Sequence, residues 1–171
     1  GSRPTYKTGQ INGYPTARFG GAQALFTTAS SHLSAYSGFA VISVTGTSGY
    51  RPIVGASAAG GLLWRIEDST NKQNLVSDFT ANIASSTTGL STATFYLVSF
   101  TYTTTAYAFY LGGTADGSSS HAVSFSAGTM DVGYSATNGD AFSGDIAEFV
   151  IYDAVLSGTP LSDAHASLTG K

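Results

Sequence analysis

The stretch ATFYLVSFTY, residues 93–102, places Tyr96, Val98, Phe100 and Tyr102 on one side. Phe95, Leu97, Ser99 and Thr101 fall on the other. This is the two-residue period of a β-strand. Three threonines later AYAFYL, residues 106–111, repeats the pattern. The gap is short enough for a hairpin, although neither Gly nor Asn marks the turn. Aromatic and β-branched side chains at period two fit a pleated surface and give a helix no single apolar stripe.

The rest of the chain follows suit. FAVISV (39–44) is apolar on both faces, as expected of a strand covered on both sides. In LLWRIE (62–67), Leu62, Trp64 and Ile66 share one face, and Leu63, Arg65 and Glu67 the other. Further strands are expected at 16–19, 24–27, 75–79, 121–125, 130–134 and 145–152. GTSGYRP, DSTNKQN, LGGTADGSSS and YSATNGDA supply turn residues between them. About ten punctuated strands predict an all-β sandwich or barrel. One helix is expected near the C-terminus, with Thr159 as N-cap and Pro160 in its first turn. Leu161, His165 and Leu168 would share a face, and Gly170 would end it. A weaker helical turn is expected at 28–36. No repeat or linker divides residues 1–171, which read as one domain with Gly1 and Ser2 as a cloning remnant.

Charge narrows the function. The net charge is -3, and the seven basic residues are never adjacent. Nucleic acid needs a clustered basic patch, so it is not an expected partner. No apolar run approaches a membrane span of roughly 18 residues, and no signal peptide is visible at the start. With no cysteine, neither disulfides nor thiolate metal sites can form.

Three stretches carry a family likeness: INGYPTARFGGAQALF (11–26), FYLVSFTYTTTAYAFYLGG (95–113) and FSGDIAEFVIYDAVLS (142–157). Together they resemble the laminin-G-like branch of the concanavalin A-like lectin/glucanase superfamily. The resemblance implies a jelly-roll β-sandwich of two antiparallel sheets with a short C-terminal helix. It also implies a secreted, cell-surface or virion protein, often one that binds glycans. Two departures stand out. The family pattern has an apolar strand before the stretch matched at Ile11, for which the chain starts too late. Gly20 and Gly21 stand where many relatives carry an acidic residue.

The carboxylates Asp145, Glu148 and Asp153 invite a catalytic reading. Glycosidases need two carboxyls about 5–9.5 Å apart. Glucanases of the superfamily resemble an i, i+2, i+4 acidic strand, and no such string occurs here. Asp145 and Glu148, three apart, fall on opposite faces unless a bulge intervenes. Glu67 and Asp68 are adjacent and also face apart. Structural wiring is the better reading: no catalytic residue is expected, and the chain is read as not an enzyme. Metal ligands stay undetermined. TNGDAF (137–142) and TADGSSS (114–120) offer oxygens of the kind calcium takes, without the fixed spacing of an EF-hand, and no cofactor beyond calcium is implied. The three scattered histidines do not suggest zinc.

Glycan binding needs exposed aromatic faces beside hydrogen-bonding groups. Trp64 is expected in the core. Tyr36, Tyr50 and Tyr134 lie in turn segments and are expected at the surface. The candidate ligand-binding residues are Tyr50, Arg51, Asn71, Tyr134, Asn138 and Asp140, on loops 46–52, 68–74 and 134–140. The expected function is a non-catalytic recognition module, extracellular or on a virion surface, binding a glycan or cell-surface polysaccharide for a larger parent protein. The alternative is a structural decoration or fibre domain packed against virion proteins. A polysaccharide-degrading enzyme comes third.

Overall fold

A computed structural model describes residues 2–30, 35–46, 48–56, 61–77, 81–120, 125–126 and 128–170, with backbone alone at 27–30, 77 and 81–83. The first strands in chain order are β1 (Thr5–Ile11), β2 (Tyr14–Gly20), β3 (Leu25–Ser30), β4 (Ala35–Val44) and β5 (Arg51–Ala56). Next come β6 (Leu63–Ile66), β7 (Lys72–Ser77), β8 (Ala81–Gly89), β9 (Phe95–Thr103) and β10 (Ala106–Leu111). The last are β11 (Thr114–Ser119), β12 (Thr129–Val132), β13 (Tyr134–Ser135), β14 (Asp140–Ala141) and β15 (Ser143–Tyr152), followed by helix α1 (Gly158–Thr169).

Two antiparallel sheets pack face to face. One runs β1-β2-β15-β4-β9-β10-β11 and the other β3-β12-β5-β6-β7-β8, with β13 and β14 as a separate hairpin. Between the sheets lies a core that includes Phe19, Ile42, Trp64, Leu75, Phe100, Phe109 and Phe142. The period-two reading of β9 holds: Val98, Phe100 and Tyr102 enter this core, while Leu97 joins a second cluster. That cluster, with Phe39, Val41, Ala164 and Leu168, lies between the seven-stranded sheet and α1. It explains why β4 is apolar on both faces. In the β9–β10 hairpin the Thr103 hydroxyl accepts from the backbone N–H groups of Thr105 and Ala106, at 3.3 and 3.0 Å. The side chain thus replaces the missing Gly or Asn.

Several expectations change. Ile11 ends a strand, β1, that pairs antiparallel with β2 and is largely exposed rather than apolar. Residues 51–56 form β5, and 114–119 form β11 rather than a loop. Of the helical turn expected at 28–36, residues 28–30 belong to β3 and 35–36 to β4, and 31–34 lie outside the described residues. The strand expected at 121–125 falls mostly outside them too. Helix α1 begins at Gly158 with Ser157 as its N-cap, two residues before the expected cap. Tyr36 is fully buried, with its ring 5.7 Å from that of Tyr102, because β4 begins before it.

The β15 strand answers the carboxylate question differently from simple parity. Its pairing with β4 slips between Ile146 and Glu148, leaving Ala147 as an extra residue. Asp145 and Glu148 therefore share a face, since Asp145 opposes Ser43 and Glu148 opposes Val41. Asp145 is buried, and its carboxylate accepts from Arg18 Nε at 2.8 Å, Arg18 Nη2 at 2.7 Å and Thr16 Oγ1 at 3.2 Å. Those bonds clamp β15 to β2.

Candidate functional site

Gly46 and residues 48–50 meet residues 67–71 at one end of the six-stranded sheet, tied by Arg51. This side chain is 1% exposed. Nη1 donates to Gly46 O at 2.7 Å, and Nη2 donates to Glu67 O at 2.9 Å and Asn71 Oδ1 at 2.6 Å. Asn71 in turn donates from Nδ2 to Leu90 O at 3.0 Å. Burial lowers the Arg51 pKa, and Asp68 opposes this. Gly49 N donates to Asp68 Oδ1 at 2.8 Å, closing the same junction. Arg51 and Asn71, expected to face a ligand, are instead buried supports for these loops.

The outward side of this junction is built on Arg65. Trp64 and Ile66 enter the core, so Arg65 and its cross-strand partner Asn74 lie on the sheet face turned away from it. Arg65 Nε donates to Asn74 Oδ1 at 3.2 Å, and Asn74 Nδ2 donates to Ala84 O and Ser85 Oγ. The Tyr50 ring lies over the guanidinium, with Cζ 3.6 Å from the ring centroid. Such stacking is a cation–π contact. It leaves Arg65 only 4% exposed and Tyr50 38% exposed. Burial lowers the Arg65 pKa, while the fields of Tyr50, Asp140 and Glu67 raise it.

The β13–β14 hairpin brings in the third segment. A side chain at Gly55 would run into Tyr134 O and the Cα of Ser135, so the hairpin lies directly on β5. Asp140 feels the Arg65 charge and accepts a hydrogen bond from Asn138; burial nevertheless raises its pKa above the ordinary carboxylate value. Asn138 is exposed, and Tyr134 and Asp140 are half-buried. Arg65 is thus covered by Tyr50 and feels the charge of Asp140, which lies on the same hairpin as Tyr134 and Asn138. Arg65 was missing from the sequence candidates. Its only signal was a charged residue alternating with core positions in β6.

Other candidates are occupied elsewhere. Among the described residues, no group of three or more His, Cys, Asp or Glu side chains is placed to hold a metal ion. Asp116, in the stretch read as a calcium loop, accepts at Oδ1 from Thr88 N and Thr88 Oγ1 and from the Thr87 hydroxyl. It joins β11 to β8 across the two sheets. An apolar cleft of about 430 Å³ opens where β2 and β15 part, lined by Tyr6, Phe19, Leu25, Val132 and Phe149. Its polar lining includes Thr16, whose hydroxyl donates to Asp145, and Glu148.

Known proteins share this architecture. The most similar structures include domain 4 of a GH43 extracellular arabinanase from Geobacillus stearothermophilus, in complex with arabinotriose. It is 17% identical, with a TM-score of 0.72, over 95% of this chain and 81% of that one. The CBM40 of Ruminococcus gnavus IT-sialidase, bound to α2,3-sialyllactose, is 10% identical with a TM-score of 0.68, over 97% and 99%. Trypanosoma rangeli sialidase matches at 12% identity and a TM-score of 0.65, over 91% of this chain but 28% of the enzyme. At such identities the likeness is one of fold. No curated relative matches the sequence. A laminin G family model, described as concanavalin A-like lectin/glucanases superfamily, matches residues 19–161, and the chain belongs to that family.

Proposed function

We propose that the protein is a non-catalytic, single-domain recognition module that binds carbohydrate at the Tyr50–Arg65–Asp140 end of the sandwich. It would attach a larger extracellular or cell-surface protein to a glycan. The observation that carries this reading is the Tyr50 ring, held flat by a buried guanidinium with 38% of the residue in solvent. A fixed aromatic plane can stack on the C–H face of a sugar ring without ordering a mobile side chain first. Asp140, whose charge reaches Arg65, and Asn138 on the same hairpin would offer a carboxylate acceptor and an amide donor for hydroxyl groups. Arabinotriose and sialyllactose in complexes of structurally similar domains support carbohydrate as the ligand class.

A glycan array, run with and without EDTA, tests the proposal. The expected result is a retained glycan whose binding falls about tenfold in Tyr50→Ala, the loss of roughly 1.4 kcal/mol of stacking. Wild-type binding by Tyr50→Ala, with circular dichroism unchanged, would move the site elsewhere. An array without any bound glycan would defeat the proposal.

A further inference from the structure

Charge is unevenly placed at this end of the molecule. Its two guanidinium groups are inside: Arg51 is 1% and Arg65 4% exposed. Arg51 gives its Nη groups to Gly46 O, Glu67 O and Asn71 Oδ1. Arg65 is covered by the Tyr50 ring and bonded to Asn74. Lys72, at the start of β7, stands opposite Glu67, whose N–H donates to Lys72 O at 2.8 Å. The carboxylates Glu67, Asp68 and Asp140, by contrast, are all half-exposed.

From this placement we infer that the glycan taken here is uncharged: a neutral pentose or hexose oligosaccharide, and not one bearing sialic or uronic acid. The inference rests on the carbohydrate-binding reading of this site. A sugar carboxylate is held best by an arginine fork presenting two parallel N–H groups. Here Arg51 spends its fork on loop backbone, and Arg65 would have to shed Tyr50, the stacking plane itself. The three half-exposed carboxylates also balance the charges of Arg51, Arg65 and Lys72, so no net positive field draws an anion to this end. Hydroxyl groups need no such field. They can donate to Asp140 and accept from the amide of Asn138, while the C–H face of the sugar covers Tyr50.

Isothermal titration calorimetry on the full chain separates the cases. The neutral series is arabinotriose, xylotriose, cellotriose and lactose; the acidic series is 3′-sialyllactose and trigalacturonate. A neutral member should bind at least about tenfold more tightly than either acidic one. Its affinity should hold as NaCl rises from about 50 to about 500 mM, since screening acts on charge pairs. An acidic member that binds as tightly as any neutral one, and weakens in Tyr50→Ala, overturns the inference and leaves the site standing. Neutral binding indifferent to Tyr50→Ala overturns the site. Failure of both series, repeated on a glycan array, overturns the carbohydrate reading with it.

Discussion

Arg51 and Arg65 sit 14 positions apart in the sequence and look alike there, as lone cations beside apolar residues. The structure gives them different work. Arg51 replaces the hydrogen bonds that water would otherwise make to two loop carbonyls and an amide. Removing it strands buried acceptors, which costs more than the bonds themselves contribute. Arg51→Met should therefore destabilise the protein by about 2–4 kcal/mol, read as a lower urea midpoint with the slope unchanged. An unchanged midpoint would mean that the loops hold together without it. Tyr50 and Asp140 were legible as surface candidates because turn segments carry exposed polar and aromatic residues. Arg65 was not, because its value depends on Tyr50 folding over it from the loop before β5.

At the scale of elements, runs of β-branched and aromatic residues, alternating in β6, β9 and β10 and apolar on both faces in β4, located these strands and β15 because a sheet covered on both sides buries both faces. The pattern failed where a segment is made of turn-forming residues. TADGSS forms β11 by pairing antiparallel with β10, and the Asp116 carboxylate ties it to Thr87 and Thr88 on β8, 28 or more residues away. It also failed at the Ala147 bulge, which reverses the parity between Asp145 and Glu148. The β12-to-hairpin turn shows how narrow such junctions are. Gly133 has φ +77, and a Cβ there would meet the Phe19 ring. Its N–H donates to Ile53 O at 2.9 Å, and its carbonyl accepts from Phe142 N at 2.8 Å. Gly133→Ala combines a left-handed backbone with an overpacked core, about 3 kcal/mol together. Thermal unfolding should show the loss, and binding should weaken with it as the Asn138–Asp140 segment shifts. A melting temperature equal to wild type would show that Phe19 has room to move.

For the whole molecule, the helix matters as much as the second sheet. Helix α1 closes the outer side of β4 and β9, and His165 anchors it. Its Nε2 lies 2.8 Å from Ser99 Oγ, and its ring lies between those of Phe39 and Tyr110, each 5.3 Å away. Burial lowers the pKa of His165 below 6.5. In the unfolded chain the imidazole takes a proton near 6.5, before the folded one does. The unfolded state thus binds more protons in that window, and stability falls as pH drops from about 6.5 toward the folded pKa. Above that window both forms are neutral and the contribution is constant. Chemical denaturation at pH 8 and pH 5 should show the parent losing more stability than His165→Gln; equal losses would place the acid sensitivity elsewhere.

By itself, the sequence determined the class of structure. Alternating apolar residues with turn punctuation leave a sandwich of antiparallel sheets as the way to bury both kinds of face, and FSGDIAEFVIYDAVLS marked the family. These are local signals, carried by neighbours along the chain. What only the tertiary structure decided is which polar residues remain at the surface. Burial and hydrogen bonding depend on partners 9 to 127 residues distant, such as Asn71 for Arg51, Asn74 and Tyr50 for Arg65, and Arg18 for Asp145. A charged side chain carries no mark in sequence of whether it will be a strut or a contact; the packing around it makes that choice.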